Sequence, residues 1–392
     1  MNNDLLAMTE ISKKANKKTI CFATMCKNEE HCIRETLESV YKYIDTWVVH
    51  DTGSSDKTCQ IVTDFFKEKN IPGELFIDEW VGFDHNKTQL FEKCYNRSDY
   101  ILHMDADDIF HGIPDFSMLE NHDAYYFNSF RGTYYNVLLI FNNRHHWKFC
   151  GVAHTTIKNL DNPNYTTSNK LVSNDIYQLS RDTGSRSHDP DKYYKDALRL
   201  KEQFFKCLYA DPDDLVGRSA FYTAQSYMDS GRYTDAIEWY TLYTKLQNTW
   251  VEEVFESHLR ITKCLIELKE DFNRIKYHID RAIAIFKDRS EPYYIFGKYC
   301  NSLKKWAIGY DYLSKTVNLS YETAKSNYSL FVSRGVYEPY NLDELSVSCW
   351  WTGKYKEGYE YLLKVKKSPL MAEHIDIDRV NENEQLFIAK LN

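Results

Sequence analysis

Near Tyr193 the hydrophobic pattern of this 392-residue chain changes period, and that switch limits the possible folds more than any other feature. Before it, apolar runs alternate with amphipathic stretches. Thr19 to Met25, Thr46 to His50 and Tyr100 to Met104 read as buried strands. Ile33, Leu37, Val40 and Tyr41 mark a helix after the first strand, and Ile61, Val62, Phe65 and Phe66 mark one after the second. Strand, helix, strand, helix is the order of a doubly wound α/β sheet, Rossmann-like and mostly parallel. After Tyr193, helical periods follow one another with almost no alternating strand. The length exceeds what one core usually holds, so two domains are expected. The reading is a polar segment 1–18, an α/β domain 19–192 and an all-α domain 193–392.

Within the second domain a unit recurs. Tyr233, Trp306 and Tyr355 are each followed three residues later by a small residue, Ala236, Gly309 or Gly358. Four further on stands Tyr240, Leu313 or Leu362. A knob, a gap and a knob on one face let two helices pack closely. With Phe272 as a degenerate member, the spacing predicts a tetratricopeptide-like array of roughly three to five helical hairpins. Pro292 suits the first turn of a helix. Stacked hairpins offer a concave surface to a peptide or protein; buttressing the first domain and forming a homodimer is the other use, and both stay open.

The stretch Tyr100 to Asp108 is an apolar strand ending in carboxylates one residue apart. Residues i and i+2 of a strand face the same way, so Asp105 and Asp107 are expected side by side at its carboxyl end. Open α/β sheets bind ligands at that edge. Mn²⁺ and Mg²⁺ take oxygen ligands and keep places for phosphate oxygens, so two carboxylates suffice to hold one against a nucleotide diphosphate.

Bulk properties narrow the partners. The formal net charge of -8 argues against a nucleic-acid partner. No apolar run is long enough to span a bilayer, and Met1 to Lys18 lacks the apolar core of a signal peptide. A cytoplasmic location is the expectation. The ten cysteines are scattered without a Cys-x-x-Cys pair and read as reduced core thiols.

Several segments in order resemble the signatures of family-two glycosyltransferases with the GT-A fold. They are Cys26-Lys27-Asn28-Glu29-Glu30, Val49-His50-Asp51-Thr52-Gly53-Ser54-Ser55-Asp56-Lys57-Thr58, Trp80 with Phe83-Asp84-His85-Asn86-Lys87, and Asp105-Ala106-Asp107-Asp108. Trp147 to His154 is similar to the Gly-x-x-His element of the branch that carries helical repeats, and Gly184-Ser185-Arg186-Ser187 continues the likeness.

The resemblance implies a metal-dependent, inverting transferase that uses a UDP-sugar, with glucose or N-acetylglucosamine as the sugar. The acceptor is a hydroxyl on a protein, a glycan or a lipid-linked sugar. By the same resemblance Asp107 ligates the metal, Asp105 contacts ribose or metal, and His154 is the third ligand, the ion being Mn²⁺ or Mg²⁺. Thr24, Asn28, Glu29, Asp51, Ser54, Asn86, Lys87, Ala106 and Arg186 fall at donor-binding positions. Asp51 would receive the base or ribose, although a helix cap is an alternative for Asp51 and Asn28 alike. Relatives often carry Glu after the closing His, where this chain has Thr155, so the catalytic base is open among Asp108, Asp182 and Asp189. The competing reading is an inactive relic whose helical repeats serve as a protein-binding scaffold. A nucleotidyltransferase is disfavoured, because Cys26 to His31 contains no glycine.

Overall fold

A computed structural model describes residues 18–131, 134–173, 175–210, 215–370 and 375–392. The polar segment expected at 1–18 lies outside them except for Lys18. Two compact units meet between Gln203 and Phe204. The change of period at Tyr193 coincides with the start of the helix that carries this boundary, α4 (Lys192–Ala210).

The strands of the first unit are β1 (Ile20–Cys26), β2 (Thr46–Asp51), β3 (Gly73–Ile77), β4 (Tyr100–His103), β5 (Ile109–His111), β6 (Ala124–Phe130), β7 (Tyr134–Asn142), β8 (Trp147–Cys150), β9 (Thr156–Asn159), β10 (Thr167–Ser168) and β11 (Tyr177–Leu179). Nine of them form one sheet in the order β3-β2-β1-β4-β7-β6-β11-β5, with β10 on β6; β8 and β9 pair separately. The sheet is more mixed than expected. β3, β2, β1 and β4 are parallel, but β7 runs antiparallel to both β4 and β6, and β5 antiparallel to β11.

The central strands lack apolar alternation because both faces are covered. Phe22, Val49 and Leu102 pack under Ile33 and Leu37 of α1 (Ile33–Val40) and Val62 and Phe65 of α2 (Thr58–Lys69). On the other face Cys21, Val48 and Ile101 meet Leu90 and Phe91 of α3 (Phe83–Cys94) and Trp147 and Phe149 of β8. Being parallel, these strands end on the same side of the sheet, β1, β2 and β3 level at Cys26, Asp51 and Ile77 and β4 three residues short at His103. Their loops share one edge, and the site is built there.

The second unit is helical: α5 (Leu215–Asp229), α6 (Tyr233–Tyr243), α7 (Val251–Glu267), α8 (Phe272–Ile285), α9 (Glu291–Ser302), α10 (Trp306–Leu313), α11 (Tyr321–Asn327), α12 (Tyr340–Trp351), α13 (Tyr355–Lys367) and α14 (Ile377–Leu391). Four hairpins, α5–α6, α7–α8, α9–α10 and α12–α13, form the repeat. Tyr233, Phe272, Trp306 and Tyr355 each begin the second helix of a hairpin. The small residues mark close approach, as expected. A Cβ on Gly309 would stand 2.4 Å from Asn301 Oδ1, and one on Gly358 would stand 2.7 Å from the Cβ of Cys349. The longer interval from Trp306 to Tyr355 is filled by short helical turns and α11 between α10 and α12. Pro292 sits in the first turn of α9. Among the described residues no helix is long and apolar enough to cross a membrane.

Candidate active site

β4 stops at His103, so the acids do not leave a pleat side by side as the strand rule predicts. They lie on a turn closed by Asp108 N–H donating to the Asp105 carbonyl at 3.2 Å. The turn sends the three carboxylates to different places. Asp105 points out, with 60% of its side chain exposed, and pairs with Lys87 Nζ of α3 at 2.9 Å. The Lys87 ammonium holds the Asp105 carboxyl below the usual carboxylate range. Asp107 is partly buried and accepts the Gly184 N–H at 2.8 Å. Burial pushes the Asp107 carboxyl up, and the Asp105 charge adds to the shift.

Asp108 turns inward and is 3% exposed. It accepts the Arg181 N–H at 3.0 Å and an N–H from the Gln178 side chain. Burial raises its pKa to about 8, with the Asp105 charge second. A proton on Asp108 has a natural acceptor. Gln178 Oε1 is buried without a partner among the described residues, and turning that amide over brings its oxygen to the acid's hydroxyl. This enclosure keeps Asp108 from an acceptor arriving through solvent.

The segment after β11 closes the same edge. Gly184 packs tightly here: a Cβ would lie 3.0 Å from Asp107 Oδ2, so the carboxylate would have to shift by a few tenths of an ångström to admit it. Ser185 donates through its N–H to Glu29 Oε2 at 3.1 Å and through its hydroxyl to the Lys27 carbonyl at 2.8 Å. Burial pushes the Glu29 carboxyl up. Arg181 donates to the Asp107 carbonyl and to Glu35. Asp182 is held by Arg131 and, at 3.6 Å, by Lys192. Asp189 is 2.6 Å from Lys195, whose hydrogen bond keeps its carboxyl below the usual range. Arg186 pairs with Asp196 and lies 5.0 Å over the Phe83 ring, which meets Trp80 edge-on.

The loops after β1 and β2 brace each other. Asn28, in the left-handed region at φ 58, accepts the Ser55 N–H through Oδ1 at 2.7 Å, and its own N–H donates to Ser54 Oγ at 2.8 Å. Asp51 is fully buried and accepts the N–H groups of Gly53 and Ser54 at 2.9 and 2.8 Å, besides the Ser54 hydroxyl. In this structure Asp51 and Asn28 thus shape the loops. Asn86 is likewise buried, accepting from Val81 and Gly82 N–H and donating to the Glu79 carbonyl. Thr24 is buried within β1, and Ala106 is 5% exposed with its carbonyl accepting from the Thr36 hydroxyl. Beyond these braces lies an open groove of about 740 Å³ lined by Lys27, Thr52, Gly53, Ile77, Asp78, Glu79 and Trp80.

His154 is exposed on the turn after β8, with φ 48, three residues beyond Gly151 at φ 107. The structure does not gather Asp105, Asp107 and His154 into a closed triad. Among the described residues, the three His, Cys, Asp or Glu side chains with ligand atoms within 4.8 Å of one another are Glu29, His31 and Cys32. The two acids remain hard oxygen donors of the kind Mn²⁺ and Mg²⁺ take, next to a lysine that keeps one of them ionised. Sequence reasoning missed Gln178, Arg181 and Ser185 as the groups that set Asp107, Asp108 and Glu29. Ser185 stood inside a quoted motif, whereas no local pattern marks the other two.

Residues 21–178 match the family model described as glycosyl transferase family 2. A comparison with curated protein sequences returned no match. Similar solved structures include MamA, at 19% identity and a TM-score of 0.34, covering 48% of this chain and 91% of that one. S. aureus TarS 1-349 in complex with UDP-GlcNAc is similar at 15% identity and a TM-score of 0.31, covering 69% of this chain and 90% of that one. BtubC from P. vanneervenii is similar at 15% identity and a TM-score of 0.36, covering 50% and 74%. The acids on the β4 turn and the braced loops of β1 and β2 lie inside the span, residues 21–178 of the first unit, that is similar to glycosyl transferase family 2.

Proposed function

We propose that the first unit transfers a sugar from a UDP-sugar, glucose or N-acetylglucosamine, to a hydroxyl on a protein, glycan or lipid-linked acceptor, inverting the anomeric carbon. The observation that carries this reading is that one turn after β4 bears both the Lys87-paired Asp105 and the Gly184-held Asp107. Both acids lie in the family-matched span. The adjacent groove supports a nucleotide: Lys27 offers a cation and Trp80 an aromatic wall. Ten free cysteines, nine of them buried, support a reducing, cytoplasmic setting.

Asp105 and Asp107 would hold Mn²⁺ or Mg²⁺, which when bound neutralises charge on the departing diphosphate. The chain's own groups do the positioning. Lys87 keeps Asp105 ionised and stands within reach of a phosphate oxygen placed at that carboxylate. The Gly184 N–H sets the direction of Asp107. Asp182, the most exposed of the three candidate bases at 53%, is assigned the acceptor proton. Such a base is worth about 10²- to 10⁴-fold.

The test is UDP release from UDP-glucose and UDP-GlcNAc by the full chain, with Mn²⁺, Mg²⁺ or a chelator. Cation-dependent release is expected, falling by about 10²- to 10³-fold in Asp107→Asn. In Asp182→Asn transfer falls while nucleotide binding by calorimetry stays. A folded chain that binds no sugar nucleotide under any of these conditions refutes the reading.

A further inference from the structure

Three metal-ligating side chains crowd one tight turn after β1. Cys32 N–H and Ile33 N–H both donate to the Glu29 carbonyl, at 3.1 and 2.9 Å, which draws Glu29, His31 and Cys32 onto one side of the entry to α1. Their ligand atoms lie within 4.8 Å of one another. Cys32 Sγ is 3.3 Å from Glu29 Oε2, and His31 Nε2 is 4.0 Å from the same oxygen. Zinc bonds of about 2.0–2.3 Å to oxygen, nitrogen and sulfur give tetrahedral edges of roughly 3.4–3.8 Å. The turn already has nearly that shape. The His188 ring lies next to it, its centroid 5.8 Å from that of His31.

The geometry points to a zinc site formed by the Glu29 carboxylate, the His31 imidazole and the Cys32 thiolate, with His188 next in reach for the fourth position. On binding, the Cys32 thiol proton goes to solvent, and the S–H···O bond to Glu29 is replaced by two bonds to one cation. His31 gives up the 2.6 Å bond from Nε2–H to the carbonyl of the exposed Thr183 and takes the Nδ1–H tautomer, which leaves the Nε2 lone pair for the metal. Glu29 Oε1 keeps the Ser185 N–H at 3.2 Å, so the ion straps the β1 turn to the segment that carries Gly184. The nitrogen and sulfur donors set this site apart from the all-oxygen pair Asp105 and Asp107, because the two sets select different metals. It stands whether or not the domain transfers a sugar.

Chelator-treated full-length protein titrated with Co²⁺, a spectroscopic substitute for zinc, is the test. One equivalent is expected to produce thiolate-to-cobalt charge-transfer absorption in the near ultraviolet, displaced by one equivalent of Zn²⁺. Cys32→Ser removes the band. His31→Gln, at a side chain 41% exposed, weakens Co²⁺ binding by about tenfold or more and leaves the melting curve in place. Asp107→Asn retains the band. Absence of thiolate absorption in the wild type, its persistence in Cys32→Ser, or its loss in Asp107→Asn overturns the site.

Discussion

At the sheet edge of the first unit, carboxylates withdrawn from water meet backbone N–H groups and amides; in the helical unit two of the most buried, Glu256 and Glu291, meet arginines. Asp107 accepts from Gly184, Asp108 from Arg181 N–H and Gln178, and Glu29 from Ser185, and burial pushes all three carboxyls up. The guanidinium of Arg181, the nearest candidate to neutralise them, goes to the Asp107 carbonyl and to Glu35. In the second unit Glu291 takes two N–H groups of the fully buried Arg289 at 2.9 and 3.0 Å, and Glu256 takes Arg260 at 2.8 Å. An ion pair completed inside the protein fixes a packing arrangement and has little left for a ligand. Acids held by dipoles alone keep an electrostatic demand that a cation from outside can meet, which is how a binding site differs from a girder.

Breaking the first side of that contrast gives the largest expected effect. Asp107→Asn should lower turnover by about 10²- to 10³-fold while the melting temperature holds or rises, because a carboxylate poorly solvated in the fold is removed. UDP release and a thermal melt decide this; a drop in both would make Asp107 a girder too. Gly184→Ala comes next. Its new methyl presses on Asp107 Oδ2 and should cost about 10²-fold in turnover with little loss of stability.

The other side is sharpened by Gly358→Ala, whose Cβ would meet Cys349 at 2.7 Å and the Phe387 ring at 2.8 Å. Denaturant unfolding should show about 1–3 kcal/mol of destabilisation. Turnover per folded molecule should not change. The smallest effect belongs to the two histidines between α7 and α8, whose Nδ1 atoms lie 3.0 Å apart. Burial lowers both pKa values to about 4, with Arg281 and His278 adding for His258 and Arg274 for His278. A histidine so lowered contributes stability above its unfolded pKa of about 6.5, and that contribution is lost as pH falls toward 4. Stability should decline as pH falls across that window, and His278→Gln should flatten the slope. An unchanged slope would place the acid sensitivity elsewhere.

Much of this architecture was legible one segment at a time. The aromatic-gap-knob pattern marked the start of the second helix in each hairpin because periodicity at 3.6 residues is written locally and the gap must be small wherever backbones touch. Lys87 and the two acids were legible as members of motifs in the order of a known family. Their orientations were not. The strand rule put Asp105 and Asp107 on one pleat, and the chain instead turned so that Asp108 could be enclosed.

By itself the sequence determined which segments become strands or helices, where the repeat begins, and which short stretches carry oxygen donors, since each depends on neighbours a few positions away. Only the tertiary structure decided which acid faces water, which is sealed, and which is aimed by a glycine. Asp107 meets its Gly184 partner across 77 positions and Asp108 its Gln178 partner across 70. Contacts at that separation arise when the sheet assembles and buries its edge, and no pattern along the chain records them.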